Sequence, residues 1–182
     1  DATVRLGVGK NMVNAIRYWL VAFGIIKHDL AGYETTHLGR RIFGDNGWDP
    51  YLEDDGTIWL LHWLLASNAK DATTFFWFFN RFSKPEFSPI ELLTSLKTFT
   101  TESLASRISE STLKHDIAVL LRMYQHSQES KRVGWEESLD SPMSALGLIS
   151  PTVGTKHHSS NLGTRLSLPP AILGYALLEQ FI

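Results

Sequence analysis

The sequence predicts a mainly α protein with small β-hairpins, of α+β class, built as two tandem winged-helix-like units joined by aromatic-rich helices. Three observations carry that expectation. Met12, Val13, Ile16, Leu20 and Phe23 recur at helical spacing between a glycine-marked entry, Gly7 and Gly9, and a glycine-marked exit, Gly24. That helix runs straight into Ile25-Ile26 and a stretch of turn and strand residues. The chain then echoes itself: Ala22-Phe23-Gly24-Ile25-Ile26 returns as Ala145-Leu146-Gly147-Leu148-Ile149, and His37-Leu38-Gly39-Arg40-Arg41-Ile42 as Asn161-Leu162-Gly163-Thr164-Arg165-Leu166. Gly24 to Gly39 is fifteen residues and Gly147 to Gly163 sixteen, a difference that one residue in a hairpin tip absorbs.

The first helix takes Asn11 as its expected N-cap and Gly24 as its C′ residue. Lys10, Asn14, Arg17 and Tyr18 fall away from its apolar face. The Gly7-Val8-Gly9-Lys10 entry is not a phosphate-binding P-loop, because Val4 stands where that loop needs glycine and Asn11 where it needs Ser or Thr. Asp29, Gly32 and Thr35-Thr36, followed by Leu38, Ile42 and Phe43, read as strand, turn, strand. A helix followed by a hairpin is the back half of a winged helix-turn-helix, in which the helix enters the major groove and the hairpin tip lies along the backbone.

Asp54 or Asp55 caps a helix over 56–67, and a second helix over 72–82 is aromatic nearly all round. Such a helix belongs in a core; a base-stacking platform would interleave Lys and Arg. Ser88-Pro89 opens a helix carrying Ile90, Leu92, Leu93, Leu96 and Phe99. Ser109 opens the next, with Leu113, Ile117, Leu120, Leu121 and Tyr124 on one face and Ser111, Lys114, His115 and Arg122 off it. Residues 126–142 read as a polar loop. The expected divisions are 1–55 for an N-terminally truncated first unit, 56–84 for connecting buried helices, and 85–182 for the second unit.

With 182 residues, 43% hydrophobic and 20% charged, the chain has room for one sizeable core or two small ones. The absence of cysteine excludes a disulfide framework and thiolate metal sites, and fits a reducing, cytoplasmic setting. No signal-peptide pattern opens the chain. The most hydrophobic region, 58–82, is broken by Asn68, Lys70 and Asp71 before either half reaches the ~20 apolar residues of a membrane span, so no membrane association is expected. A start at Asp1 predicts a fragment or a processed form. Net charge is −2 but unevenly spread: residues 1–44 carry six bases against three acids, and 45–55 carry five acids and no base. The basic segment holds the key helix, which allows phosphate contacts there and argues against indiscriminate nucleic-acid binding by the whole surface.

LGVGKNMVNAIRYWL, LG-RRIFGDNGWDPYLED, TIWLLHWLLA, SESTLKHDI and SLPPAILGYALLE together resemble one bacterial family of an uncharacterised domain. Its best-understood members resemble SspB, the DNA-nicking protein of single-stranded DNA phosphorothioation systems. The resemblance spans essentially the whole chain, and GDNGWDPYLED over 44–54 is its most distinctive string. In that family a segment with an FSGHETF-like motif precedes the region seen here. The resemblance implies DNA as partner, a place in a modification and defence system of restriction-modification type, and company such as a cysteine desulfurase, an ATPase and a sulfotransfer reductase-like protein.

Metal-assisted nicking needs carboxylates that hold Mg²⁺ or Mn²⁺ against the attacking and leaving oxygens. Asp45, Asp49, Glu53, Asp54 and Asp55 form the one dense acidic cluster, with Asp45 and Asp49 as catalytic candidates and Asp45, Asp49 and Asp54 as a metal set; turn and cap chemistry is the plainer use of the same residues. The adjacent His157 and His158 are expected in the second hairpin tip, pointing to opposite faces. His62, inside LLHWLL, reads as a hydrogen-bonded core histidine. Lys10, Asn11, Asn14 and Arg17 on the key helix, Arg40 and Arg41 in the first hairpin, and Lys114 and His115 on the sister helix are the candidate DNA contacts. Two functions follow as expectations: a DNA-binding endonuclease that nicks, or a non-catalytic adaptor or transcription regulator that docks DNA or protein through the same surface.

Overall fold

A computed structural model describes residues 2–30, 32–103, 108–125 and 141–180. The chain is mainly helical with two small antiparallel sheets. Most of the expected loop at 126–142 lies outside the described residues. Among the described residues no helix is long and apolar enough to cross a membrane.

After a short α1 (Ala2–Leu6) comes α2 (Lys10–Ala22), the helix the sequence marks out. Its N-cap is Gly9, with no side-chain cap, and Asn11 lies inside the first turn instead of capping it. The exit is as expected. Ile25 N–H donates to Leu20 at 2.8 Å and Gly24 N–H to Val21 at 2.9 Å, the paired bonds of a Schellman motif, and Gly24 sits at φ 67° where a Cβ would be strained. The apolar stripe is only half used: Val13 is buried and Leu20 and Phe23 pack on the core, but Met12 and Ile16 are exposed.

The hairpin is smaller than expected. Strands β1 (Ile26–Asp29) and β2 (Gly32–Thr35) pair from Ile26↔Thr35 to Asp29↔Gly32, and the chain then turns into a helix, α3 (His37–Phe43). Thr36 makes that helix: its hydroxyl accepts from Gly39 N–H at 3.0 Å. Gly39 lets it sit close, since a Cβ there would lie 2.3 Å from the Ile25 carbonyl oxygen. Arg40 and Arg41 therefore stand on α3, not in the hairpin.

Helix α4 (Asp55–Ser67) is capped by Asp54, and α5 (Thr73–Asn80) buries Phe75, Trp77 and Phe78. A two-residue strand, β3 (Glu86–Phe87), leads to α6 (Pro89–Ser103), whose entry is a reciprocal capping box: Ser88 N–H donates to Glu91 at 2.9 Å and Glu91 N–H to Ser88 Oγ at 3.3 Å. Helix α7 (Glu110–Tyr124) is capped by Ser109 and buries all five residues of its predicted stripe. One apolar cluster runs from Ala22 through α4 to α7 to Ile149, and burying it supplies the main driving force for this fold. His62 lies inside it. Its Nδ1 is 2.8 Å from the Tyr124 hydroxyl, and Phe79 stands edge-on at 4.6 Å. Burial pushes the imidazole down to about 4 and the phenol up.

After a 3₁₀ turn (Pro142–Leu146), β4 (Ile149–Pro151) and β5 (His158–Ser160) form the second hairpin, with β3 added on the far side of β5. His157 precedes β5, whereas His158 is its first residue, half-buried, bonded to Gln125 and stacked on Phe87. The internal echo is real in space up to a definite point. Gly24 and Gly147 share the left-handed conformation, each two residues before its strand. Thr36 N–H donates to Ile25 at 2.9 Å, as Asn161 N–H does to Leu148 at 2.9 Å. Thr36 Oγ1 donates to the Gly24 carbonyl at 2.7 Å, as Asn161 Nδ2 does to that of Gly147 at 2.7 Å. Thr36, not His37, is thus the counterpart of Asn161, and the hairpins differ by two residues instead of one. Beyond that point the copies part: α3 has no helical equivalent directly after Asn161, and a Cβ added at Gly163 would meet nothing within 4 Å. Helix α8 (Pro170–Glu179) closes the described chain with no buried residue.

Candidate nucleic-acid interface

Lys10, Asn14 and Arg17 follow one another at i, i+4, i+7 along the solvent side of α2, and all three are exposed. Asn11 begins the adjoining stripe with Ala15 and Tyr18. The hairpin flanks this face. The Arg17 guanidinium carbon stands 5.7 Å from the centre of the Tyr33 ring, which packs in turn on His28 at 4.6 Å. Across the strands Lys27 and Glu34 pair at 2.7 Å, which raises the lysine and lowers the carboxyl through their mutual hydrogen bond.

On α3 the two arginines do different things. Arg40 donates to the Thr35 carbonyl at the end of β2, and Arg41 lies 5.0 Å over the ring of the exposed Trp48. The distinctive 44–54 string is the loop that turns back on this helix. Trp48 N–H and Asp49 N–H donate to Arg41 and Ile42 at 2.8 and 3.2 Å, satisfying carbonyls that the end of a helix leaves open.

The acidic cluster in that loop does not come together as a metal set. Asp49 is buried and accepts from Glu53 N–H at 2.9 Å and Asp54 N–H at 3.1 Å; the Glu53 bond is the chief cause of its lowered carboxyl. Asp54 accepts from Gly56 N–H at 2.7 Å and Thr57 N–H at 3.3 Å as the cap of α4. Asp45 stays exposed. Among the described residues no three His, Asp or Glu side chains converge where a metal ion could be held.

Lys114 and His115 separate. Lys114 is paired with Glu110 at 2.8 Å, an acid that also holds Lys97 at 3.2 Å. His115 instead lines a cleft of about 730 Å³ bounded by α2, the start of α5 and α7. Tyr18 reaches this cleft from α2 and donates to the Asp71 carbonyl at 2.8 Å. Asp116 reaches it from α7, with Thr74 Oγ1 at 3.4 Å. Burial raises the Asp116 carboxyl, partly offset by the Thr74 bond and the nearby His115. The Tyr18 phenol is raised by burial first and then by the charges of Asp116 and Asp71. Sequence reading passed over Asp71, Thr74 and Asp116. Their signal was available, since Thr74 is a polar residue in an aromatic helix and Asp116 directly follows His115.

No curated protein matches this chain. A family model described as "Protein of unknown function (DUF4007)" matches residues 1–182. Two solved structures are similar. The magnesium ion-bound SspB crystal structure gives a TM-score of 0.88 at 30% identity, and a second SspB crystal structure gives 0.87 at 30% identity; each comparison covers 100% of this chain and 56% of the other. The chain therefore spans a little over half the length of the SspB chains it matches. The magnesium belongs to that protein; here Asp49 and Asp54 accept from backbone amides, and among the described residues no group of three or more His, Asp or Glu side chains is placed to hold a metal ion. From the match along all 182 residues, together with an SspB-like fold over the same length, the chain belongs to the DUF4007 family.

Proposed function

We propose that this chain is the DNA-engaging part of an SspB-like protein of a bacterial DNA phosphorothioation system. The observation that carries the reading is the likeness to SspB over the entire chain, at 30% identity and a TM-score of 0.88. The exposed stripe Lys10, Asn14 and Arg17, with Asn11 beside it, supplies donors for phosphates and base edges. Arg41 and Arg40 on α3 add positive charge beyond the hairpin. On this reading α2 with β1 and β2, and α7 with β4 and β5, act as winged-helix-like units within 1–55 and 85–182, linked by the helices of 56–84. The desulfurase, ATPase and reductase-like proteins of such systems are the expected company, in the cytoplasm.

Nicking is proposed for the whole protein, with no step assigned to the carboxylates described here. A plasmid-relaxation assay on the full-length protein with Mg²⁺ or Mn²⁺ tests it: open-circular product supports the nickase reading, and none under either metal removes it. An adaptor or regulator without catalysis is the second reading, favoured by α8, where Leu173, Leu177 and Leu178 are exposed as on a protein-docking helix. It predicts DNA retardation or partner capture, unchanged by Asp45→Asn with Asp49→Asn, in a protein that leaves plasmid intact.

A further inference from the structure

The cleft between α2, α5 and α7 has a makeup that the DNA-contact stripe does not use. At about 730 Å³ it falls within the range of small-molecule sites, and Trp19 and Phe75 meet in its wall at 5.6 Å, edge to face. Asp116 supplies a carboxylate acceptor on one side, with Thr74 beside it. Along α7 its cleft-lining neighbours include His115 and Arg122, seven residues apart and so on one side of the helix. Acceptor, aromatic wall and cationic flank are thus combined in one cavity. The arrangement also adjoins the proposed DNA face, because Tyr18 lines the cleft one residue after Arg17.

We propose that this cleft takes a single unpaired nucleotide, with the base against the aromatic wall, its exocyclic amino group on Asp116, and its phosphate toward His115 and Arg122. A carboxylate accepts well from the amino groups of cytosine, adenine and guanine; thymine has none and offers only its N3–H, flanked by two carbonyl oxygens that a carboxylate repels. A lysine or arginine side chain from a partner would satisfy the carboxylate but would meet like charge at Arg122, whereas a nucleotide matches both the carboxylate and the guanidinium. Base-on-aromatic contact adds affinity without choosing among bases, so the choice falls to Asp116. The inference rests on the DNA reading above: a strand held by the α2 stripe would present an unstacked base to the neighbouring cavity.

Calorimetric titration of this chain with dCMP, dAMP, dGMP and dTMP separately is the test. Saturable binding of the three amine-bearing nucleotides is expected, with dTMP roughly tenfold or more weaker, the effect of one lost hydrogen bond to a charged acceptor. Asp116→Asn is expected to erase most of that preference while the circular dichroism stays helical. Should that variant unfold, the comparison with dTMP in the unmodified protein decides alone. No saturation with any nucleotide, dTMP binding as tightly as the others, or a folded Asp116→Asn that discriminates as before would each overturn the proposal; so would saturation by an arginine-rich peptide where all four nucleotides fail. Lys10→Ala with Arg17→Ala should leave nucleotide binding intact, so a failure of the α2 reading shows in duplex binding and a failure of the cleft shows in the titration.

Discussion

Arg17 on α2 and Tyr33 on β2 meet as a cation above an aromatic ring, 5.7 Å from guanidinium carbon to ring centre. The contact fixes a flexible side chain that would otherwise lose rotamer freedom on meeting a phosphate. Tyr33→Ala should therefore weaken duplex DNA binding by about 2–5-fold, the worth of an exposed cation–π contact, although Tyr33 itself need not touch DNA. Tyr33→Phe keeps the ring and should bind as the unmodified protein does. Fluorescence anisotropy with a labelled duplex reads both.

The loop over 44–54 is held by caps. Asp54→Ala should cost about 1 kcal/mol in urea unfolding, as the loss of an N-cap does. Asp49→Asn should also destabilise, because the amide that replaces the carboxylate can accept from Glu53 or Asp54 on only one of its two atoms. Neither change should alter duplex affinity in the folded protein. A loss of DNA binding out of proportion to the loss of stability would return these acids to a direct role.

Gly39 and Gly163 occupy matching places in the sequence echo and opposite places in space. Gly39→Ala drives a Cβ into the Ile25 carbonyl and should lower the melting temperature sharply; Gly163→Ala meets nothing within 4 Å and should leave it nearly unchanged. Equal effects in thermal denaturation would mean that the repeat extends past Asn161.

The partly buried His62 sets a pH dependence. Its pKa is about 4 in the folded chain against 6.5 for the free side chain, so the unfolded state binds the extra proton first. Stability from this group is full above about 6.5 and is lost as pH falls towards 4, by up to roughly 3 kcal/mol. The lowered, half-buried His158 acts in the same direction. His62→Gln, which preserves a hydrogen-bonding partner for Tyr124, should flatten the fall seen in denaturant melts between those pH values.

Helix positions were legible wherever a cap and an apolar stripe coincided. Ser109 with Leu113, Ile117, Leu120, Leu121 and Tyr124 defines α7, and Asp54 defines α4, almost to the residue. The hairpins were legible as turns but not in extent. Thr35-Thr36 reads as strand chemistry, and only the fold shows that Thr36 ends the strand and caps α3 through its hydroxyl. The one-residue slip in the repeat has the same origin: the sequence aligns Gly39 with Gly163, while the hydrogen bonds align Thr36 with Asn161. The α2 stripe was readable because three donors at helical spacing need no tertiary contact to share a face. The cleft was not, since Tyr18, Asp71, Thr74 and Asp116 meet only when α2, α5 and α7 pack.

The central claim is that the α2 stripe engages DNA, and the most direct measurement is duplex affinity as a function of salt for this chain and for Lys10→Ala with Arg17→Ala. If both side chains contact phosphate, the slope of log affinity against log salt falls in magnitude by about 2 in the double variant, with weaker binding at every salt concentration. An unchanged affinity and slope would contradict the account.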